Sequence, residues 1–289
     1  MRISEILAKD TVGISCELFP PKFGSQLANV KETVREMAEL KPTYMSITYG
    51  ATGGTSEYTI DIANEIQNVN HIPALAHLTC VSSTKEKVHS VIEQLKQSGI
   101  ENILALRGDI PTDADFPLPN QYQYASELIY DIKQQGEFCI GAACYPEGHP
   151  EADSMEDDLN YLKEKVEAGC GFLTTQMFFD NSIYYNFMYK VLKKKISVPV
   201  VPGIMPVTNA SQIKRIVSLS GTMAPPRFKA IVDRFADSPA AMRQAGIAYA
   251  TEQIIDLIAN GVNHVHIYTM NKPDVAGEIL RNLSEIYFR

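Results

Sequence analysis

The chain is poor in cysteine, and its cysteines are unpaired in sequence. Cys16, Cys80, Cys139, Cys144 and Cys170 are scattered over 289 residues and none forms a CxxC pair. Neither a zinc site nor a disulfide framework is signalled, and an odd cysteine count fits a reducing compartment better than a secreted one. A basic cluster is also missing. The 34 acidic residues outnumber the 26 basic ones, giving a formal net charge of −8, which argues against nucleic acid as a partner. No apolar run approaches the roughly 18 residues of a membrane span, so no membrane partner is expected. The opening MRISEILAKD has no long apolar stretch, so no signal peptide is expected. Linkers, repeat arrays and low-complexity tracts are absent too. A single catalytic domain over residues 1–289, in a cytoplasmic protein, is the expectation.

What is present is a repeating unit. Hydrophobic residues make up 45% of the chain, enough for a sizeable core. Eight short apolar runs each finish in a polar or turn residue, at Glu17, Thr48, His77, Arg107–Asp109, Tyr145, Gln176, Pro202–Gly203 and Tyr268. A helix-like stretch separates each run from the next. Strands alternating with amphipathic helices imply a parallel sheet, and eight of them imply a closed α/β architecture, the (β/α)8 TIM barrel, with its chemistry at the C-terminal strand ends. The interval from Asn209 to Asn260 is too long for one helix and predicts extra helices between strands seven and eight, with Ala224-Pro-Pro226 as a break. Thr55 or Ser56, Thr84 and Ser154 are placed to open helices, and Gly99 to end one. The segment from Pro111 to Gln123 reads as a longer, functional loop.

Glu17 is the sharpest candidate for chemistry. Strand alternation puts it on the face of Ser15 and Phe19. A carboxyl group at an apolar barrel mouth is disposed to hold a proton near neutral pH and donate it; the alternative is a structural carboxylate paired with Arg or Lys from a neighbouring strand. Arg107-Gly-Asp109 combines two charges with a glycine that admits close ligand approach, or else forms a surface ion pair with itself. Among the histidines, His77 ends a strand, His149 lies in a loop, and His264 and His266 alternate lower on strand eight. No acidic residue completes a ligand set with them, so hydrogen-bonded barrel histidines are expected and no metal. Gly50-Ala-Thr-Gly-Gly54 lacks the GxGxxG spacing and the later acidic residue of a dinucleotide turn. No strand ends in lysine, the nearest being Lys22 in a loop, which disfavours a Schiff-base aldolase. Tyr184, Tyr185, Phe187 and Tyr189 recur at helical spacing and read as packing or a subunit contact.

The strings CELFPPK, SITYGATGG, AHLTC, LALRGD, CYPEGHPEA, TTQMFFD, PGIMPVTN and HIYTMN follow one another from strand one to strand eight. Together they resemble the methylenetetrahydrofolate reductase family in its short bacterial form, over nearly the whole chain. The resemblance implies a flavoprotein barrel that binds FAD, is reduced by NADH or NADPH, and passes hydride from flavin N5 to methylenetetrahydrofolate in a ping-pong cycle. It implies Glu17 as the general acid that opens the imidazolidine ring to an iminium, and Asp109 as a charge near the flavin and pterin. It further implies flavin contacts at Thr48, Tyr49, Ala51, His77, Arg107, Gly108 and Asp109. Tyr124, Ala125, Tyr145, His149, Ala152, Asp158 and Lys165 complete that implied set, the last two towards the ribose and diphosphate. Folate or nicotinamide contacts are implied at Gln176, Gln212, Tyr268 and Lys272. A folate substrate and a homo-oligomer are the implied partners.

Three positions depart from the family pattern. Tyr161 replaces an Asn among the flavin contacts. Ile216 replaces a Phe that stacks on substrate or nicotinamide. Lys272 replaces an Arg, keeping the charge without the planar fork. No regulatory domain of the eukaryotic kind, and no feedback through one, is expected. Two other classes stay open on the residues alone: a metal-dependent hydrolase built around His77, and a non-catalytic flavin or folate binder.

Overall fold

A computed structural model shows a ring of parallel strands wrapped by helices, and it describes residues 1–21, 23–49, 56–81, 83–110 and 116–287. The glycine turn at 50–54, with Ala51, lies outside the described residues, as do Lys22, Thr55 and positions 111–115 of the long loop.

A short helix α1 (Ile3–Leu7) precedes β1 (Gly13–Leu18). Strand and helix then alternate: α2 (Leu27–Glu39), β2 (Met45–Ile47), α3 (Ser56–Asn64), β3 (Ala74–Thr79), α4 (Lys85–Gln97), β4 (Asn102–Leu106), α5 (Ala125–Gln135), β5 (Cys139–Cys144), α6 (Met155–Ala168), β6 (Phe172–Thr175) and α7 (Asn181–Lys193). The seventh strand position comes in two pieces, β7 (Val200–Val201) and β8 (Gly203–Ile204). Three helices follow, α8 (Ala210–Ser220), α9 (Pro226–Phe235) and α10 (Pro239–Ala259), then β9 (His264–Ile267), α11 (Pro273–Asn282) and α12 (Ser284–Tyr287).

All pairings between neighbouring strands are parallel, in the order β7-β6-β5-β4-β3-β2-β1-β9-β8. β7 pairs with β6 and β8 with β9, so the two pieces close the ring into a (β/α)8 barrel. Pro202 separates them because it has no N–H for the ladder, while its carbonyl still accepts from His266 N at 2.9 Å. The extra helices predicted between strands seven and eight are α9 and α10, and Pro225 and Pro226 form the break that opens α9.

Local chemistry explains most helix limits. The Thr84 hydroxyl accepts from Lys87 N at 3.3 Å and opens α4, and Gly99 ends it with a φ of +68°. Ser154 caps α6 by accepting from Asp157 N at 3.2 Å, and Glu156, Asp157 and Asp158 complement the positive end of that helix. α3 departs from expectation. The sequence predicts a helix to about Gln67, but the α-helix ends at Asn64 and passes into a single π-helical turn, Glu65–Val69.

The N-terminal segment does more than its composition suggested. α1 lies across the bottom of the barrel, where Ile3, Ile6 and Leu7 pack with Tyr44, Leu75, Leu104, Phe172 and Val201. Fully burying such side chains contributes roughly 1.5–3 kcal/mol each. Asn102, fully buried, ties the plug down: its Oδ1 accepts from Ile3 N at 2.8 Å, and its Nδ2 donates to Met1 O at 3.3 Å and Ala74 O at 3.1 Å. At the opposite end, α10 runs against the segment after β8. A Cβ on Gly246 would lie 1.9 Å from the Val207 carbonyl oxygen, so only glycine permits this approach.

Candidate active site

With the bottom plugged, the C-terminal mouth is the open end, and one cavity of about 810 Å³ occupies it. That is the upper part of the usual range for small-molecule sites, about 300–1,000 Å³. Strand ends or the loops just beyond them supply Glu17, Thr48, Tyr49, His77, Arg107, Gly108, Asp109, Tyr145, Gln176 and Tyr268 to its wall. The loop after β5 adds His149 and Ala152, the start of α5 adds Tyr124 and Ala125, and α6 adds Asp158 and Lys165. Lys272 stands apart from this wall, its ammonium donating to Thr208 Oγ1 at 2.9 Å. Ala51 and the Gln212 side chain lie outside the described residues.

The inner wall is polar and buried. Glu17 is 7% exposed; its Oε2 lies 3.6 Å from His77 Nε2 and 4.0 Å from His266 Nε2. Its nearest ionisable neighbours are therefore imidazoles, and among the described residues the Arg or Lys pairing considered from sequence is not found. Burial pushes the His77 imidazole down to about 4, helped by His266 and opposed by Glu17. His77 is neutral at physiological pH. Beneath them, His266 Nδ1 shares a hydrogen bond with Ser15 Oγ at 2.7 Å, and its Nε2 lies 3.2 Å from Ser46 Oγ. Tyr44 stacks on the His266 ring with centroids 5.8 Å apart, and Tyr268 meets it edge-on at 5.4 Å.

This arrangement corrects the reading of His266 as a residue below the site. β1 and β9 pair so that Ser15 stands beside His266, and the imidazole reaches up from that layer to line the cavity. The signal was available in part, because Ser15, Glu17 and His266 all fall on inward-facing positions of adjacent strands. Missing was the knowledge that strands one and eight adjoin at that register. His264 faces the other end of the barrel and lines a separate hollow with Leu7 and Val201.

The chain after β1 is pinned to the chain after β9. Phe19 N donates to Asn271 Oδ1 at 2.8 Å, Asn271 Nδ2 donates to Phe19 O at 3.0 Å, and Thr269 Oγ1 donates to Glu17 O at 2.6 Å. Met270 and Asn271 adopt φ values of +54° and +55°, a conformation held by these bonds. The backbone that carries Glu17 is therefore fixed on both sides of the seam.

Across the cavity, Arg107 does not pair with Asp109. Its Nη1 and Nη2 donate to the two oxygens of Glu151 at 2.7 and 2.6 Å, a bidentate fork. Asp109 is exposed at the rim. Gly108 has a φ of +86°, and a Cβ there would approach Thr79 Cβ to 3.2 Å. Tyr145 meets His149 edge-on at 4.6 Å; burial, with Asp109 nearby, pushes its phenol up to about 12. On α6, burial lowers the Lys165 ammonium against the opposing pull of Asp158, and raises the Asp158 carboxyl against the pull of Lys165. Lys165 Nζ donates to Ala143 O at 3.0 Å. Gln176 folds its Oε1 back onto Met177 N at 2.9 Å.

Of the aromatic stretch on α7, Tyr184 and Phe187 are buried and Tyr185 donates to Asp256 Oδ2 at 2.7 Å, whereas Tyr189 is exposed. Among the described residues, no group of three or more His, Cys, Asp or Glu side chains is placed to hold a metal ion. No helix is long and apolar enough to cross a membrane, again among the described residues.

Comparison with known proteins agrees with this geometry. The family model described as methylenetetrahydrofolate reductase matches residues 2–284. A Zea mays protein named methylenetetrahydrofolate reductase (NADH) 1 is 35% identical over 298 residues, covering 99% of this chain and 50% of its own length. The chain thus spans about half the length of its plant relatives. The 5,10-methylenetetrahydrofolate reductase of Escherichia coli K12 is 32% identical over 272 residues, covering 94% of this chain and 90% of its own. Among solved structures, an uncharacterized protein from Clostridium thermocellum, described as binding two copies of 5-methyl-5,6,7,8-tetrahydrofolic acid, superposes with a TM-score of 0.63 at 14% identity and 99% coverage of both chains. A 2,3-dimethylmalate lyase does so with a TM-score of 0.51 at 11% identity over 98% of this chain and 83% of its own. The structural likenesses speak for the barrel, and the sequence match from end to end speaks for more: the chain belongs to the methylenetetrahydrofolate reductase family.

Proposed function

We propose that this barrel, acting as one catalytic domain over residues 1–289, is an FAD-dependent reductase that converts 5,10-methylenetetrahydrofolate to 5-methyltetrahydrofolate using NADH or NADPH. The observation that carries the reading is a buried carboxyl group, Glu17, beside His77 at the inner wall of a cavity that also holds two cationic side chains, Arg107 and Lys165.

The residues present suit a flavin. Among the described residues, His77 Nε2 and Thr174 Oγ1 are buried in the cavity wall without a hydrogen-bond partner, which is costly unless a ligand supplies one. Gly108 presents backbone without a side chain. Arg107 and Lys165 offer positive charge to a diphosphate, and Asp158 an acceptor for ribose hydroxyls. A flavin held there would supply hydride transfer between the nicotinamide and the folate.

The protein's own part is proton delivery, placement and charge. Glu17 gives a proton to a folate nitrogen and so assists opening of the five-membered ring, a task suited to an acid held out of water. The pins at Asn271 and Thr269 fix its height in the mouth. His77, neutral at physiological pH, gives Glu17 a polar neighbour without a second positive charge. Asp109 contributes negative charge at the rim that favours a cationic folate intermediate. Gln176 turns its amide to the pterin edge after leaving Met177, and Tyr268, Gln212 and Lys272 meet folate or nicotinamide. A homo-oligomer in the cytoplasm belongs to the same proposal, and the exposed Tyr189 and Leu192 on α7 give apolar surface consistent with it.

Anaerobic titration tests this. The purified protein should be yellow, bleach with NADH or NADPH, and recover its visible absorbance when methylenetetrahydrofolate is added. A colourless protein that takes up no FAD would overturn the proposal.

A further inference from the structure

The loop between β4 and α5 lines the cavity at Asp109 and Ile110, where it leaves the strand, and again at Phe116, Pro117 and Gln123 on its way to α5. Residues 118–122, between those last positions, are docked on α4 and α5. Lys85 N donates to Asn120 O at 2.9 Å, Asn120 Nδ2 donates to Glu86 Oε2 at 2.6 Å, and the Lys85 ammonium lies 5.1 Å from the centre of the Tyr122 ring. Tyr122 is the centre of the docking. It is 4% exposed, and its ring joins the main core. Its hydroxyl donates to Asp131 Oδ2 on α5. The same oxygen accepts from His89 Nε2 on α4 at 2.7 Å and from Gln135 Nε2 at 2.9 Å. A carboxylate oxygen can only accept, so His89 carries a proton on Nε2. Burial, reinforced by the bond to Asp131, pushes the Tyr122 phenol up, and it remains a donor at working pH. Donors from the loop, from α4 and from α5 itself thus converge on one oxygen atom.

A wall made of loop residues holds a ligand only as well as the shell behind it holds the loop. We propose that Asp131 is a positioning residue for the active site: through Tyr122 and His89 it fixes the tail of the β4–α5 loop, and so keeps Phe116, Pro117 and Gln123 in place against the folate. The inference rests on the reductase reading above and adds to it a group that touches no ligand. The loop begins at Asp109, which that reading sets beside the folate, so folate binding is what a loosened tail weakens. Glu17 is held separately, by the pins at Asn271 and Thr269. Loosening the tail therefore removes contacts made equally in the ground state and the transition state, which raises KM and spares kcat. The exposed ion pair of His89 with Asp131 would contribute little alone. Its worth here lies in holding the carboxylate under a buried phenol.

Steady-state kinetics of the full-length protein with FAD, NADH and methylenetetrahydrofolate test this. Tyr122→Phe keeps the ring in the core and removes only the donor. It should raise the KM for methylenetetrahydrofolate about three- to tenfold, the worth of one hydrogen bond to a charged group, with kcat within about twofold of wild type. Asp131→Ala should do the same, and the double variant should be no worse than the poorer single one, because both changes break one contact. His89→Gln, whose amide can still donate to Asp131, should keep the wild-type KM, whereas His89→Ala should raise it. The rate of flavin reduction by NADH should be unchanged throughout. A lowered Tm with wild-type KM in Tyr122→Phe, additive losses in the double variant, or equal slowing of both half-reactions would overturn the proposal and leave the reductase reading standing. A wild type that binds no flavin and reduces no folate would overturn both.

Discussion

Glu17 and His77 lie side by side on the inner wall of the barrel mouth, Oε2 to Nε2 at 3.6 Å, each less than a tenth exposed. Burial of His77 makes the stability of this protein depend on pH.

Stability should fall in mild acid. His77 titrates at about 4 in the folded protein and at about 6.5 in the unfolded chain. The unfolded state therefore binds the proton first. The stability associated with neutral His77 is fully present above about pH 6.5, declines as pH falls, and is lost once pH reaches about 4. The difference is on the order of 3 kcal/mol. Denaturant melts from pH 7.5 to 4.5 should show a shallower decline in His77→Gln than in wild type. Parallel slopes in the two proteins would refute the assignment.

Glu17→Gln should separate the two halves of the cycle. Glutamine keeps the size of the side chain but has no acidic proton. FAD binding and reduction by NADH or NADPH should be preserved, while reoxidation by methylenetetrahydrofolate slows by about 10²–10⁴-fold, the usual worth of a positioned acid. Stopped-flow of each half-reaction under anaerobic conditions measures both. Equal slowing of the two would show that Glu17 holds the site together without serving as the acid.

Asn102→Ala should loosen the floor of the barrel. The substitution leaves Ile3 N without its acceptor and removes donors to Met1 O and Ala74 O, all at a buried position. A cost of about 1–3 kcal/mol is expected, seen as a lowered Tm. The cavity opens at the other end of the barrel, so kcat below the melting range should stay near wild type.

Gly246→Ala should disturb the far side of the mouth. Its methyl would press on the Val207 carbonyl from 1.9 Å, and either α10 or the segment after β8 must move. Overpacking of this kind costs about 1–3 kcal/mol. That segment also carries Thr208, the partner of Lys272, so the KM for folate should rise along with the loss in Tm. A variant with wild-type Tm and KM would show that the helix yields freely.

The strand ends were legible in the sequence because a barrel interior wants branched apolar side chains. A carboxylate at Glu17, an imidazole at His77 or a guanidinium at Arg107 interrupts an apolar run where the run leaves the core. The helix caps at Thr84 and Ser154 and the stop at Gly99 were legible for the same local reason: each satisfies backbone groups within a few residues. The partners were not. Glu151 lies 44 residues from Arg107, and nothing in its own surroundings marks it as the other half of a fork. The break at Pro202 was read as a strand end, although the strand position continues beyond it through β8.

From the sequence by itself come the eight repeats, the end of the barrel where polar groups gather, and the family to which the chain belongs. The repeats and the polar strand ends follow from periodicity, and the family from its resemblance in the motif strings; all are properties of the chain before it folds. Tertiary structure alone decided that His266 rises from Ser15 and Ser46 to within 4.0 Å of Glu17, that α1 seals the floor, and that Arg107 turns to Glu151. Each joins residues far apart in the chain: closure of the ring sets strand one beside strand eight at a fixed register and brings His266 to Glu17, pairing of β4 with β5 brings Arg107 to Glu151, and packing of α1 on the strand starts seals the floor.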